Sequence, residues 1–169
     1  CIDFVETLFQ LAVDFPKMYF VIRFKMIDKI FHILPQNLIA KVDKLPNIEI
    51  STKLKQYNSY ILAGLADLII GKQTSILEES LAAGKKVLIY DNERFVSALD
   101  YIWKEIDVVV KNYSELEKRV FECMNGNYVD HEQLSKFKQK YFSVNSSKDG
   151  FTLIKEAVSD IYSENYKNN

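Results

Sequence analysis

Ala66-Asp67-Leu68-Ile69-Ile70-Gly71, then Lys72-Gln73-Thr74-Ser75-Ile76-Leu77-Glu78-Glu79, then Gly84-Lys85-Lys86-Val87-Leu88-Ile89-Tyr90, form a strand, a loop entering a helix, and a second strand. The two apolar runs do not alternate, so each reads as a strand covered on both faces, as in a parallel sheet between helices. The same cycle continues on either side. Upstream, Phe4, Val5, Leu8, Leu11 and Ala12 recur at helical spacing up to Phe15-Pro16, where proline disfavours helix in the residue before it. Tyr19–Ile22 reads as a buried strand, Lys25–Lys44 as helix interrupted at Pro35, Asn47–Ile50 as a short strand, and Thr52–Leu65 as a helix. Ile76–Ala83 is the helix between the two quoted strands. Downstream come a helix over Phe95–Lys104, a last strand over Asp107–Val110, and a helix over Tyr113–Met124 opened by a Ser114/Glu117 capping box. Asp130–Phe142 and Phe151–Tyr162 read as terminal helices joined by the polar linker Ser143–Gly150. The expected fold is α/β, a doubly wound Rossmann-like parallel sheet of about five strands with two C-terminal helices.

Composition agrees with a packed domain. Of 169 residues, 48% are hydrophobic and 13% aromatic, while five Gly and three Pro leave few turns and long elements. Lys and Arg number 22 against 23 Asp and Glu, so the net charge of -1 offers none of the cationic excess on which general nucleic-acid binders rely. Cys1 and Cys123 are too few and too far apart for a disulfide framework or a zinc site, and imply reduced thiols in the cytoplasm. No metal and no cofactor is expected. No apolar run reaches the roughly 18 to 20 residues that span a bilayer, and the N-terminus lacks the pattern of a signal peptide. Cys1 opens directly into a helical pattern, so residues 1–169 are expected to be a single domain from a longer protein.

Ligands of doubly wound sheets bind at the carboxyl ends of the strands. Four segments lie there: Arg23 and Lys25, Gly71–Ser75, Asp91–Arg94, and Lys111-Asn112. Gly71–Ser75 is the sharpest, because a small, hydroxyl-rich loop enters a helix whose first N–H groups and positive dipole end favour an anion. The bland alternative is that Ser75 and Glu78 form a capping box and do nothing more. Glu79, about 100° further round the helix, has no capping duty and can point across the crevice.

Ala66–Gly71, Thr74-Ser75, Glu78-Glu79 and Gly84–Ile89 together resemble the nucleotide-sugar-binding, C-terminal half of GT-B-fold glycosyltransferases. The likeness covers Tyr57 to Val110 well, and the flanking helices only by order of elements. It implies that Thr74 and Ser75 contact the diphosphate of a nucleoside diphosphate sugar and that Glu79 holds the ribose hydroxyls. It further implies that Arg23, Lys25 and Lys72 set positive charge against the diphosphate, although each also fits a solvated surface charge. Two departures stand out: Lys86 replaces the family's proline after Gly-Lys, and the family's first strand with its Gly-rich turn is missing before Ile2. The implied partner is the N-terminal domain of the same protein, which would supply the acceptor site and commonly the base. The acceptor could be membrane-associated, with the domain in the cytoplasm or at the inner face of the membrane, and no nucleic acid is involved.

Two other functions fit the same pattern. A UDP-N-acetylglucosamine 2-epimerase-like enzyme shares the Glu-Glu pair, but would be expected to carry Gly-Gly where Thr74-Ser75 stand. A non-catalytic binding module would retain the fold without turnover. His32 and His131 lie on helical segments away from the strand ends, Trp103 reads as core, and Phe15, Tyr19, Phe20 and Phe24 read as parts of a buried strand. Asp149-Gly150 reads as a turn into the last helix.

Overall fold

A computed structural model describes residues 2–24, 34–51, 59–72, 74–93 and 103–142. Helix α1 (Ile2–Asp14) is followed by β1 (Phe20–Ile22), α2 (Gln36–Val42), β2 (Ile48–Ile50), α3 (Ser59–Leu65), β3 (Leu68–Gly71), α4 (Ser75–Ala82) and β4 (Lys86–Tyr90). A 3-10 turn (Trp103–Glu105), β5 (Val109–Val110), α5 (Tyr113–Met124) and α6 (His131–Phe142) complete the order. This is the α/β, Rossmann-like alternation expected, with every described strand pairing parallel. The expected helix at Phe151–Tyr162, residues 25–33 of that at Lys25–Lys44, most of that at Phe95–Lys104, the first half of Thr52–Leu65, and Asp149-Gly150 lie outside the described residues.

The strands form two ladders, β1-β2 and β3-β4-β5, rather than one continuous sheet among the described residues. In the larger ladder Leu68 stands opposite Lys86, Gly71 opposite Ile89, and Ile89 in turn opposite Val109. β4 is its central strand, and Val87–Tyr90 are all buried, as expected of a strand covered on both faces. β1 differs from the expectation of a fully buried strand. Phe20 and Ile22 are buried, but Val21 and the preceding Tyr19 are 41% and 61% exposed, because among the described residues only one face of β1 is covered.

The principal core joins α1, α2 and α5 to both ladders. Val5, Leu8, Leu11 and Ala12, the helical stripe visible in the sequence, pack with Phe20, Ile22, Ile48, Leu88, Tyr90, Val110, Leu116 and Val120. Leu88 and Tyr90 face this core. Val87 and Ile89, alternating with them, are buried on the other face of β4, where α4 packs with Leu77 and Leu81 fully enclosed. Asn47 ties α1 to β2: its buried amide donates to the carbonyls of Ala12 at 2.8 Å and Met18 at 3.1 Å. The hydroxyl of Tyr128 donates to the Val87 carbonyl and accepts from the Val87 N–H, both at 2.8 Å. It thereby serves as a strand neighbour where β5 has not yet begun, and burial pushes its phenol up to about 12.

Cationic side chains close the helix ends. Lys85 Nζ donates to the carbonyls of Gly64 and Ala66 at the end of α3, and Lys86 Nζ to that of Cys123 in the last turn of α5 at 3.0 Å. Arg119 binds the carbonyls of Asp107 at 2.7 Å and Tyr128 at 2.6 Å, and the Glu122 carboxylate at 2.8 Å, fixing α5 to the approach of β5. The chain divides into two compact units, Cys1–Val129 and Asp130–Asn169. In the second unit Asp130 starts α6 by accepting from the Gln133 N–H at 2.9 Å, and buried Phe137 meets Tyr141 in a tilted and Phe142 in an edge-on arrangement, at centroid distances of 4.9 and 5.7 Å.

Two glycines should respond in opposite directions. A Cβ on Gly71 would stand 3.1 Å from Leu77, which is buried between β3 and α4, so Gly71→Ala should destabilise the protein by about 1 to 3 kcal/mol. A Cβ on Gly64, inside α3, meets nothing within 4 Å, so Gly64→Ala should stabilise by about 0.5 to 1 kcal/mol. Urea denaturation of both variants measures each sign directly.

Candidate functional site

Parallel register brings the carboxyl ends of β3, β4 and β5 to one edge, because Gly71 pairs with Ile89, and Tyr90 with Val110. The segments leaving β3 and β4 are tied there by an ion pair, Lys72 Nζ to Glu93 Oε1 at 2.5 Å. Its hydrogen bond and charge hold the Glu93 carboxyl below its ordinary value. Lys72, expected to face a diphosphate, is therefore already neutralised by a neighbour that the sequence placed at the next strand end without assigning it a role.

The start of α4 corrects the capping-box expectation. The N-cap is Thr74, in extended conformation, and its side chain makes no capping hydrogen bond. Ser75 is instead the first residue of the helix, with the Leu77 N–H already bonded to the Thr74 carbonyl at 3.1 Å, so a Ser75/Glu78 box does not form. Both hydroxyls lie exposed at the helix end whose first N–H groups have no intrahelical partner. Such an arrangement can hold an anion by backbone and hydroxyl donors.

Glu79 is exposed, and its carboxylate accepts a hydrogen bond from Tyr60 on α3, which raises the Tyr60 phenol above its ordinary value. The helical step from Glu78 thus directs Glu79 toward α3. Tyr60 carried no signal in the sequence beyond being one more aromatic in a helix.

Arg23 follows β1 and is half-buried; its Nε and Nη1 are enclosed and have no hydrogen-bond partner among the described residues. Lys25 lies outside the described residues. After β4, Asp91 is buried and Asn92 holds its Oδ1 enclosed and unpartnered. Arg23 and Asn92 both stand at strand ends, and apart from them only Arg119 has such an orphaned side-chain atom among the described residues. Lys111-Asn112, the fourth strand-end segment, is committed to structure. Asn112 accepts from the Glu115 N–H at 2.9 Å, while Glu115 accepts from the Lys111 N–H at 2.8 Å. α5 is therefore capped by Asn112 and Glu115, not by Ser114 and Glu117 as expected, because the helix begins at Tyr113 and leaves Asn112 extended at the N-cap.

His131 is the first residue of α6; His32 lies outside the described residues. Trp103 is buried, as expected for core. Among the described residues no three His, Cys, Asp or Glu side chains gather as a metal site. No described helix is long and apolar enough to cross a membrane. No protein-family model, curated protein or solved structure matches the chain.

Glu93→Gln should free Lys72 and strengthen binding of inorganic pyrophosphate by about two- to fivefold, the scale of an exposed charge pair. The gain should shrink as salt is raised from 0.05 to about 0.5 M, which calorimetric titration would record. The sign with pH follows from the lowered carboxyl. The pair's contribution to stability is fully present above the ordinary value of 4.5 and is lost as pH falls through the lower folded-state value.

Proposed function

We propose that this chain is the donor-binding half of a glycosyltransferase, gripping a nucleoside diphosphate sugar whose sugar passes to an acceptor hydroxyl. The observation that carries the reading is Arg23. Leaving enclosed guanidinium N–H groups without partners is costly, and at a strand end this is the arrangement expected of a cation kept for a ligand anion. The exposed hydroxyls of Thr74 and Ser75 at the start of α4, the nearby Lys72 and the exposed carboxylate of Glu79 supply the rest of a diphosphate and ribose site. The separate ladders also suit the family order, in which a strand preceding α1 would lie between β1 and β3.

In the proposed reaction the acceptor oxygen bonds to the anomeric carbon while the bond from that carbon to the diphosphate oxygen breaks. The leaving diphosphate keeps the electron pair, and the hydroxyl proton passes to a base on the N-terminal half. Arg23 and Lys72 would stabilise the charge that collects on the diphosphate, with Lys72 exchanging Glu93 for the ligand. Surface polysaccharide or glycoconjugate synthesis, in the cytoplasm or against its membrane, is the setting proposed, with a membrane-associated acceptor.

Glu79 gives the residue-level test. If its carboxylate accepts from the ribose hydroxyls, each bond is worth roughly 1.5 to 3 kcal/mol, so UDP should bind at least about tenfold more tightly than dUDP. Glu79→Ala should erase that preference and Glu78→Ala should retain it. Calorimetry with UDP and dUDP, then with the cytidine and guanosine pairs, reads the result. A native protein that binds ribonucleotides but ignores the missing hydroxyl in every pair contradicts the assignment of Glu79.

A further inference from the structure

The site described so far accounts for the anionic and ribose parts of a sugar nucleotide, but not for a neutral acceptor left unsatisfied beside them. Asn92 Oδ1 is enclosed and has no hydrogen-bond partner among the described residues. It lies immediately after β4, between buried Asp91 and Glu93, whose 2.5 Å ion pair with Lys72 draws the β4 segment against the loop entering α4. Burying a carbonyl oxygen without a donor is unfavourable, so its persistence calls for a group that arrives from outside. That group must carry an O–H or N–H and must reach the protein next to the anion loop. Glu79, the ribose candidate, turns toward Tyr60 on α3, the helix leading into β3, whereas Asn92 stands just past the end of the next strand, β4. Of the two groups that flank the diphosphate in a sugar nucleotide, the ribose is assigned to the α3 side, which leaves the β4 side for the transferred sugar.

We infer that Asn92 reads a hydroxyl of the transferred sugar: the hydroxyl donates to Oδ1, and Asn92 thereby helps determine which sugar is accepted. This inference rests on the nucleotide-sugar reading above.

The test compares the wild type, Asn92→Ala and Asn92→Asp in the full-length protein by calorimetry and thermal denaturation. The ligands are UDP-glucose, UDP-N-acetylglucosamine, GDP-mannose and dTDP-glucose, each beside its parent nucleoside diphosphate. For the sugar nucleotide that the wild type prefers over its parent, Asn92→Ala should weaken binding about tenfold while leaving the parent diphosphate unchanged, as loss of one buried hydrogen bond predicts. Asn92→Asp should weaken both, through repulsion. Since alanine removes an unsatisfied acceptor, the melting temperature of ligand-free Asn92→Ala should equal or exceed that of the wild type. A variant that melts lower yet binds the sugar nucleotide normally shows a structural role and overturns the inference. Equal loss for sugar nucleotide and parent places Asn92 on the nucleotide and also overturns it. Binding of nucleoside diphosphates with unaltered sugar preference in both variants refutes the role of Asn92 alone, while failure of every ligand to bind the wild type refutes the underlying nucleotide-sugar reading together with it.

Discussion

The parallel pairing of Leu68–Gly71 with Lys86–Ile89 places most of the groups discussed above. Because the ladder is in register, β3 and β4 end at the same edge, and the segments that leave them are close enough for Lys72 and Glu93 to pair. Gly71 lets Leu77 approach the end of β3, so α4 starts directly above that edge with Thr74 and Ser75 at its head. The packing that buries Leu77 and Leu81 against β4 thus also aims the helix end.

The strand-end cations differ in how far their local partners satisfy them. Lys72 has a partner, Glu93. Arg23 Nε and Nη1 have none, although they are enclosed, whereas Arg119 spends its guanidinium on two carbonyls and a carboxylate that hold α5 in place. Arg119 leaves only its Nε without a partner, so the two arginines differ in how much of the guanidinium their surroundings satisfy.

Hydrophobic patterning made the alternation of elements legible: β4 and α5 begin and end where the sequence placed them, and α1 buries the stripe read from Val5, Leu8, Leu11 and Ala12. What patterning could not resolve was which polar residue would stop or start a helix. Ser114 and Ser75 had the spacing of capping residues, but Asn112 and Thr74 stand one residue before the first helical turn, and backbone position decides the N-cap. Lys86 looked like a departure from a proline pattern, and its contact with the Cys123 carbonyl supplies a local reason for a cation there. The division into ladders and the exposed face of β1 depend on pairing between strands distant in sequence, which a period-two or run-of-apolar signal does not encode. At the candidate site, strand ends and the hydroxyl loop were visible in the sequence, while the Tyr60–Glu79 and Lys72–Glu93 partnerships and the orphaned atoms of Arg23 and Asn92 required three-dimensional proximity.

The central claim is that the cation left without a partner at the end of β1 belongs to a nucleoside diphosphate. Calorimetric titration of the full-length protein and of Arg23→Met with the tightest-binding nucleoside diphosphate, alongside their unfolding midpoints, tests it most directly. Methionine keeps an unbranched stem and removes the enclosed donors, so the account predicts an unfolding midpoint at or above that of the wild type and affinity lower by about tenfold or more, the loss of a charge-assisted contact. An Arg23→Met protein that is folded and binds the diphosphate as tightly as the wild type would contradict the account.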